Sequence, residues 1–569
     1  MEQEIKLKRN FVSNDLQIND WADLKNYYEN LTVRTIENLE GLKKWLADWS
    51  ELDAIVSENF AWRYIKMTCD ATNEELVKSF TFFTENIEPK IAPIANQLQK
   101  KLLDCSFTNQ LTEKEFFVYL RSIKKHYELF REENIELNTK ISNESQKYGA
   151  ISSAQTIEHE GKQITLQKAA TYLKSQDRLL REKIYKIIQE RKAQDENQLN
   201  DLYTLLIELR HKVALNAGFE NYRDYKFQDL GRFDYNIKDC YDFHTSIAEH
   251  IVPITKKMEQ ERKGKLKLDA YRPWDTEFDA EGKAPLEPFK TADELIQKTI
   301  SCFNQIDPFF GECIQRMQKM KHLDLDSRVG KAPGGYNYPL YESGAPFIFM
   351  NAVGSHRDMV TMVHEGGHAI HSFLCNPLLL TDFKSTPSEV AELASMGMEL
   401  ISMEHWNVFF NSDEELKRAK KEQLEKILKT LSWIASIDKF QHWIYENPTH
   451  TIEERNNTWM GIIKQFGTGE VDYSGLENNL KRSWQGQLHL YEVPFYYIEY
   501  GMAQLGAIAL WKNYLENPKQ CVTNYKNALS HGYTRTIPEL YELAGIKFDF
   551  SGQNVKQLAT FVLSEYNKL

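Results

Sequence analysis

No stretch of this 569-residue chain approaches the roughly 18 uninterrupted apolar positions that a membrane span needs. The opening, Met1-Glu-Gln-Glu-Ile-Lys-Leu-Lys-Arg-Asn10, puts charge where a secretory leader would need an apolar run. Neither a signal peptide nor a membrane partner is expected. Cysteine is sparse. The seven residues (Cys69, Cys105, Cys240, Cys302, Cys313, Cys375 and Cys521) are odd in number, scattered and nowhere in C-x-x-C spacing. That suits reduced thiols in the cytoplasm rather than a disulfide framework. Positive charge is in deficit as well: 70 basic against 82 acidic residues give a net charge of -12, so no nucleic-acid partner is expected. Internal repeats and low-complexity segments are absent. The glycine-rich Arg328-Val-Gly-Lys-Ala-Pro-Gly-Gly-Tyr336 lacks the G-x-x-x-x-G-K-[ST] order of a phosphate loop, which argues against a nucleotide.

What the chain does have is helical periodicity and aromatic side chains, the latter at 12%, enough for a large interior. After an extended lead-in over 1–20, apolar residues recur every three or four positions from Trp21 to Leu103. One long helix is expected from Thr112 to Ser145. A hairpin turning at Glu160-Gly161 follows, with His159 read as a surface residue. Helical pattern resumes over Leu166–Ala217, stopping at Gly218, and over Lys238–Lys263, stopping at Gly264. Residues 265–290 read as a long structured loop, and Thr291–Met320 as helix. Pro346-Phe-Ile-Phe-Met-Asn351 reads as a short strand whose leading proline favours a sheet edge, open to an extended peptide. His442 and His450, in a charged helical region, read as structural or exposed. Two regions are expected: a helical N-terminal lobe over 1–105 and a catalytic region over 106–569.

The chemistry concentrates in His364-Glu365-Gly366-Gly367-His368, an H-E-x-x-H pattern. On a helix the two histidines lie about 6 Å apart along the axis, on one face. They can grip one zinc ion, with Glu365 as base on water at that zinc. Chance would supply the pattern roughly a few per cent of the time in such a chain. Context argues against chance: Ser355 and Asp358 form a capping box, and Met359, Met362, Val363 and Ile370 give the helix an apolar side. Two adjacent glycines in a helix interior cost about 1 kcal/mol each, so something is expected to press against them.

A third protein ligand is needed. His371 shares the face but is about 10.5 Å from His364 along the axis, too far. Downstream, Thr386 as N-cap, Pro387 at the first helical position and Glu389 as capping-box partner mark another helix start. That leaves Glu392 or Glu399 for the metal. Glu392, in the second turn, is preferred, and Glu399 suits a partner behind a ligand histidine. Further on, Tyr496 and Tyr500 share a face if Pro494 begins a helix. Tyrosines so spaced are most often core.

The segments 328–336, 346–351, 364–371, Thr381-Asp-Phe383 and Thr386–Ser395, with Arg63–Asp70 and Leu230–Tyr235 upstream, resemble the oligoendopeptidase F branch of the thimet-oligopeptidase-like zinc peptidases. The resemblance spans nearly the whole chain. It implies a mainly α, gluzincin-type fold: a two-lobed shell of helices enclosing a deep channel, with a small β-sheet beside the zinc helix. It also implies Glu392 as third ligand and a His-and-Tyr cluster that stabilises the oxyanion. His489, Tyr496 and Tyr500 match that cluster, with Tyr491 and Tyr497 as alternatives within one position or so. The expected function is a cytoplasmic endopeptidase with one Zn²⁺, cutting internal bonds of oligopeptides. Against it stand a metallocarboxypeptidase or dipeptidyl carboxypeptidase acting at C-termini, and a zinc-stabilised peptide-binding protein without turnover. Whether the chain is a monomer or a homo-oligomer has no signature in the sequence.

Overall fold

A computed structural model describes residues 9–569. The first eight residues of the expected lead-in lie outside the described residues, and 9–20 are irregular. The described residues are mainly helical with two small sheets. No described helix is long and apolar enough to cross a membrane. One core runs through the chain from Leu129 to Val562. A second gathers side chains from Val12 to Ile123 and is joined by Leu380 and Phe383.

Five helices bear His364, His368, Glu392, Glu399, Gln423 and Tyr500 or pack beside those that do: α1 (Ile237–His250), α2 (His356–Cys375), α3 (Ser388–Ser402), α4 (Asp413–Glu446) and α5 (Tyr497–Glu516). The expected long helices are broken more often than their periodicity suggests. Thr112–Ser145 is two helices, Lys114–Leu129 and Asn134–Ser153. Lys238–Lys263 divides at Ile251, where Pro253 enters a new first turn, and Gly264 lies inside that second helix, which ends on left-handed Lys267 (φ 50°). Thr291–Met320 breaks at Asp307-Pro308. A proline that starts a new helix does not disturb the apolar period, so the period alone hides the break. Leu166–Ala217 likewise divides into three α-helices and a short 3₁₀ turn before its stop at Gly218.

The hairpin forms as expected: β1 (Thr156–His159) pairs antiparallel with β2 (Lys162–Thr165), with Glu160 and Gly161 both at positive φ. His159 is not a surface residue; its side chain is largely covered and lies against Tyr172, ring centroids 4.5 Å apart. In the second sheet, β3 (Leu323–Asp326), β4 (Tyr336–Tyr338) and β5 (Phe347–Ala352) lie in the order β3-β5-β4. The strand expected at an edge is therefore central. Pro346 precedes the first paired residue, so its missing N–H removes no ladder bond. The unbroken apolar run Phe347–Met350, buried throughout, is what a strand covered on both faces shows. The glycine-rich segment before β4 is pinned by Lys331. Its buried ammonium donates to Asp324 Oδ1 (2.9 Å) and to the carbonyls of Asp324, Asp326 and Met350.

Two contacts fix the helices around α2. The capping box of Ser355 and Asp358 starts α2. Its two glycines meet different neighbours: a Cβ on Gly366 would lie 2.7 Å from the Phe303 ring, and one on Gly367 would lie 2.6 Å from Ala394 O and 2.7 Å from Ser395 Cα of α3. The start of α3 differs from expectation. Pro387 is the N-cap and makes no side-chain cap bond. Glu389 turns inward instead and is 2% exposed, near Arg232. The buried Arg232 guanidinium donates to Glu499 Oε1 of α5 (2.8 Å) and to Phe495 O. An inward countercharge for a buried cation outweighs one exposed cap bond.

Gly367→Ala should lower stability by ~1–3 kcal/mol, more than Gly366→Ala, because a ring can rotate and a helix backbone must shift bodily. Equal urea midpoints for the two variants would contradict this. Arg232→Met leaves two buried carboxylates without their cation and should cost ~3–5 kcal/mol. Adding Glu499→Gln should restore part of it, and an unchanged loss in the double variant would mean that the guanidinium acts through packing alone.

Candidate active site

His364 and His368 project from one side of α2 with ring centroids 5.0 Å apart. Glu392 faces them from α3, its Oε2 3.3 Å from His364 Nε2 and 3.6 Å from His368 Nε2. One ligand atom from each of the three lies within 4.8 Å of the others. Behind them, His364 Nδ1 donates to Glu399 Oε1 at 2.7 Å, and Glu399 Oε2 accepts from Gln423 Nε2 of α4 at 2.6 Å. This fixes the tautomer, leaving His364 Nε2 turned toward Glu392. Glu392 is held in turn by Tyr496 Oη, donating to Oε1 at 2.7 Å, and by Ser395 Oγ, donating to Oε2 at 2.9 Å.

The arrangement favours positive charge. Burial opposes ionisation of Glu392, but His368 and His364 outweigh it and hold its carboxyl at about 2. Burial also works against a charged His364, yet its hydrogen bonds to Glu392 and Glu399 lift it well above the ordinary value. His368 is lowered by burial to about 4. Two neighbouring imidazoles, a ligating carboxylate and a second carboxylate behind form a donor set and charge balance that fit a divalent ion. Glu365 is buried, and its Oε2 has no hydrogen-bond partner among the described residues. Burial lifts its carboxyl to about 7, with Glu392 and Glu399 adding to the shift and His364 opposing it. His371 is also buried but is not part of the three-ligand cluster.

β4 crosses α2 beside Glu365. Asn337 Nδ2 donates to Glu365 O at 3.3 Å, and a Cβ on Gly335 would lie 3.7 Å from Glu365 Oε1. On another side stand His489 and the tyrosines. α5 begins at Tyr497, not Pro494, because Phe495 takes a left-handed turn (φ 67°) and leaves Tyr496 at the N-cap. Tyr496 and Tyr500 still meet, ring centroids 5.2 Å apart. Gln487 Nε2 donates to His489 Nδ1 at 2.7 Å, so the proton of the neutral imidazole sits on Nε2, 3.3 Å from Tyr500 Oη. Burial lowers His489 to about 4, which keeps it neutral near pH 7. Tyr497 lies against the His489 ring at 5.0 Å. Tyr491 lies in the core, stacked on Tyr148 with its hydroxyl toward Leu199 O.

Sequence reasoning missed Ser395, Gln423 and Gln487. Ser395 had a signal, one turn after Glu392. The other two had none, since long segments separate Gln423 from Glu399 and nothing marks Gln487 as a partner of His489.

The sequence model of peptidase family M3 matches residues 171–560, and that of the peptidase M3 N-terminal domain matches 11–130. An oligoendopeptidase F homolog of Borreliella burgdorferi is 21% identical over 550 residues, 91% of this chain and 88% of the relative. Oligopeptidase PepF of Bacillus subtilis is 22% identical over 68% of this chain and 56% of its own. The solved structure of Pz peptidase A with an inhibitor superposes with a TM-score of 0.93 at 25% identity, covering 98% of this chain and 99% of that one. With the longer of the two matches taking in α2, α3 and the His489–Tyr500 segment, the chain belongs to peptidase family M3.

Proposed function

We propose that this protein is a cytoplasmic zinc-dependent endopeptidase that hydrolyses internal bonds of short oligopeptides. The observation that carries the reading is the unpartnered Glu365 Oε2 beside the converging His364, His368 and Glu392. A purely structural metal site has no use for such a group. His364, His368 and Glu392 would hold one Zn²⁺, with Glu399 orienting His364. When bound, the ion supplies Lewis acidity to the scissile carbonyl and to the attacking water.

The chain's own groups do the rest. Glu365, near neutrality, takes the proton of the attacking water at its free Oε2 and passes it to the leaving amine. His489 Nε2–H and the Tyr500 hydroxyl are donors for the oxyanion that develops at the carbonyl. Tyr496 clamps Glu392, its one hydroxyl proton committed to Oε1. The substrate backbone is aligned by β4, which has a free edge beside Glu365, rather than by the central Phe347–Phe349. An extended, unfolded peptide suits such an edge. The names of the relatives, oligoendopeptidase and oligopeptidase, support the substrate class.

Glu365→Gln should lower kcat by ~10²–10⁴-fold or more while bound zinc stays stoichiometric. Undiminished turnover in that variant would remove Glu365 as the base. Tyr500→Phe should lower kcat by ~10²–10³-fold with KM little changed, whereas Tyr496→Phe should in addition loosen the metal, read by chelator competition. Quenched fluorescent peptides graded from a few residues to a few dozen test the substrate class. The expected result is chelator-sensitive cleavage at internal bonds, fading with length and restored by zinc. Release of C-terminal residues would instead identify a carboxypeptidase, and zinc binding without cleavage a binding protein.

A further inference from the structure

A second set of ligating side chains lies in the larger core, between α1 and α4. Cys240 and His244 are four residues apart on α1, and Asp438 and His442 are four apart on α4, so each helix turns a one-turn pair toward the other. None of the four is more than 2% exposed. One ligand atom from each of Cys240, Asp438 and His442 lies within 4.8 Å of the others. His244 Nε2 is hydrogen-bonded to Asp438 Oδ2 at 2.8 Å. His442 Nε2 approaches the same oxygen at 3.2 Å, yet it has no hydrogen-bond partner among the described residues. The same holds for His442 Nδ1, His244 Nδ1 and Asp438 Oδ1. Buried polar atoms are nearly always satisfied, so several orphans on three touching side chains call for a reason. The rings of Phe227, Tyr241, Phe466 and Phe495 pack around the histidines and offer no alternative partner for them.

We propose that Cys240, Asp438 and His442 bind a divalent transition-metal ion of the zinc type, at a site separate from His364, His368 and Glu392, with His244 behind them holding Asp438. The ligand set is soft sulfur, one imidazole and one carboxylate, three protein donors of the kinds that zinc takes, with a fourth position left for a small ligand. Charge closes as well. On binding, the S–H proton leaves to solvent and an S–metal bond forms; thiolate and carboxylate together then neutralise the dication. The ion would tie α1 to α4 directly beneath the turn that carries Tyr496: Phe495 N donates to Gln441 Oε1 at 2.6 Å, and the Phe495 ring lies 5.4 Å from that of His442.

Cobalt separates this site from the first, because a thiolate ligand gives cobalt(II) a near-ultraviolet charge-transfer band that a ligand set of two histidines and a glutamate cannot. Protein is produced in cobalt-supplemented medium as the unaltered chain, as His364→Ala/His368→Ala, and as Cys240→Ser. The double-alanine variant should retain one cobalt per chain together with the band. Cys240→Ser should lose the band and one cobalt. A band that survives Cys240→Ser would overturn the proposal by placing the sulfur ligand elsewhere. So would an unaltered chain with no band, a result that depends on no variant folding. Failure of the first site alone would appear differently, as an unaltered chain with the band and a single cobalt.

Discussion

At Gly367, α2 lies against Ala394 O and Ser395 Cα of α3 with no room for a Cβ between the two helices. The two histidines are on one of these helices and Glu392 on the other, so that contact sets the distance across which all three side chains meet. A methyl group at Gly367 would press α2 and α3 apart and widen the spacing of the imidazoles from the carboxylate. The glycines are therefore part of the site's geometry, although neither touches its chemistry. On its other face, α3 packs against α5 by the same means: a Cβ on Gly506 would lie 3.0 Å from Leu393, and one on Gly397 would lie 2.9 Å from Leu510.

Close packing brings charge into the interior, and the fold handles it in two ways. Near α2, carboxylates and imidazoles are set against one another, so that a dication completes the balance. At the start of α3 and α5, Arg232 supplies the countercharge permanently, and burial together with the neighbouring Glu389 still pushes the Glu499 carboxyl above its ordinary range. The two clusters are joined through the turn at Phe495. Its carbonyl accepts from Arg232 and its N–H donates to Gln441, which holds a non-glycine residue in the left-handed region. Such strain persists only where surrounding contacts over-determine it, and here it sets the place from which Tyr496 reaches Glu392.

Much of this was legible in the chain itself. The H-E-x-x-H spacing, the capping box at Ser355 and the improbable glycine pair depend on local geometry, and local geometry is what sequence encodes most directly. The mainly helical fold was legible for the same reason. What was misread depends on partners distant in sequence. Glu389 looks like a cap until Arg232, more than 150 residues earlier, is seen beside it. Pro346 looks like an edge signal until β3 and β4 are found on both sides of the strand. Tyr491 and Tyr496 are alike to any periodicity argument, and only the left-handed turn between them separates a core residue from one that touches Glu392. Gln423 carried no signal at all.

β4 is three residues long and, as an edge strand, offers main-chain groups beside Glu365. A ladder of amides and carbonyls is indifferent to the side chains of whatever pairs with it. Discrimination of that kind acts on conformational state: a segment already engaged in its own helix or sheet has no free donors and acceptors to offer, while almost any relaxed chain does. On the function proposed above, such an enzyme would be a reader of unfoldedness, broad in the sequences it accepts and narrow in the shapes.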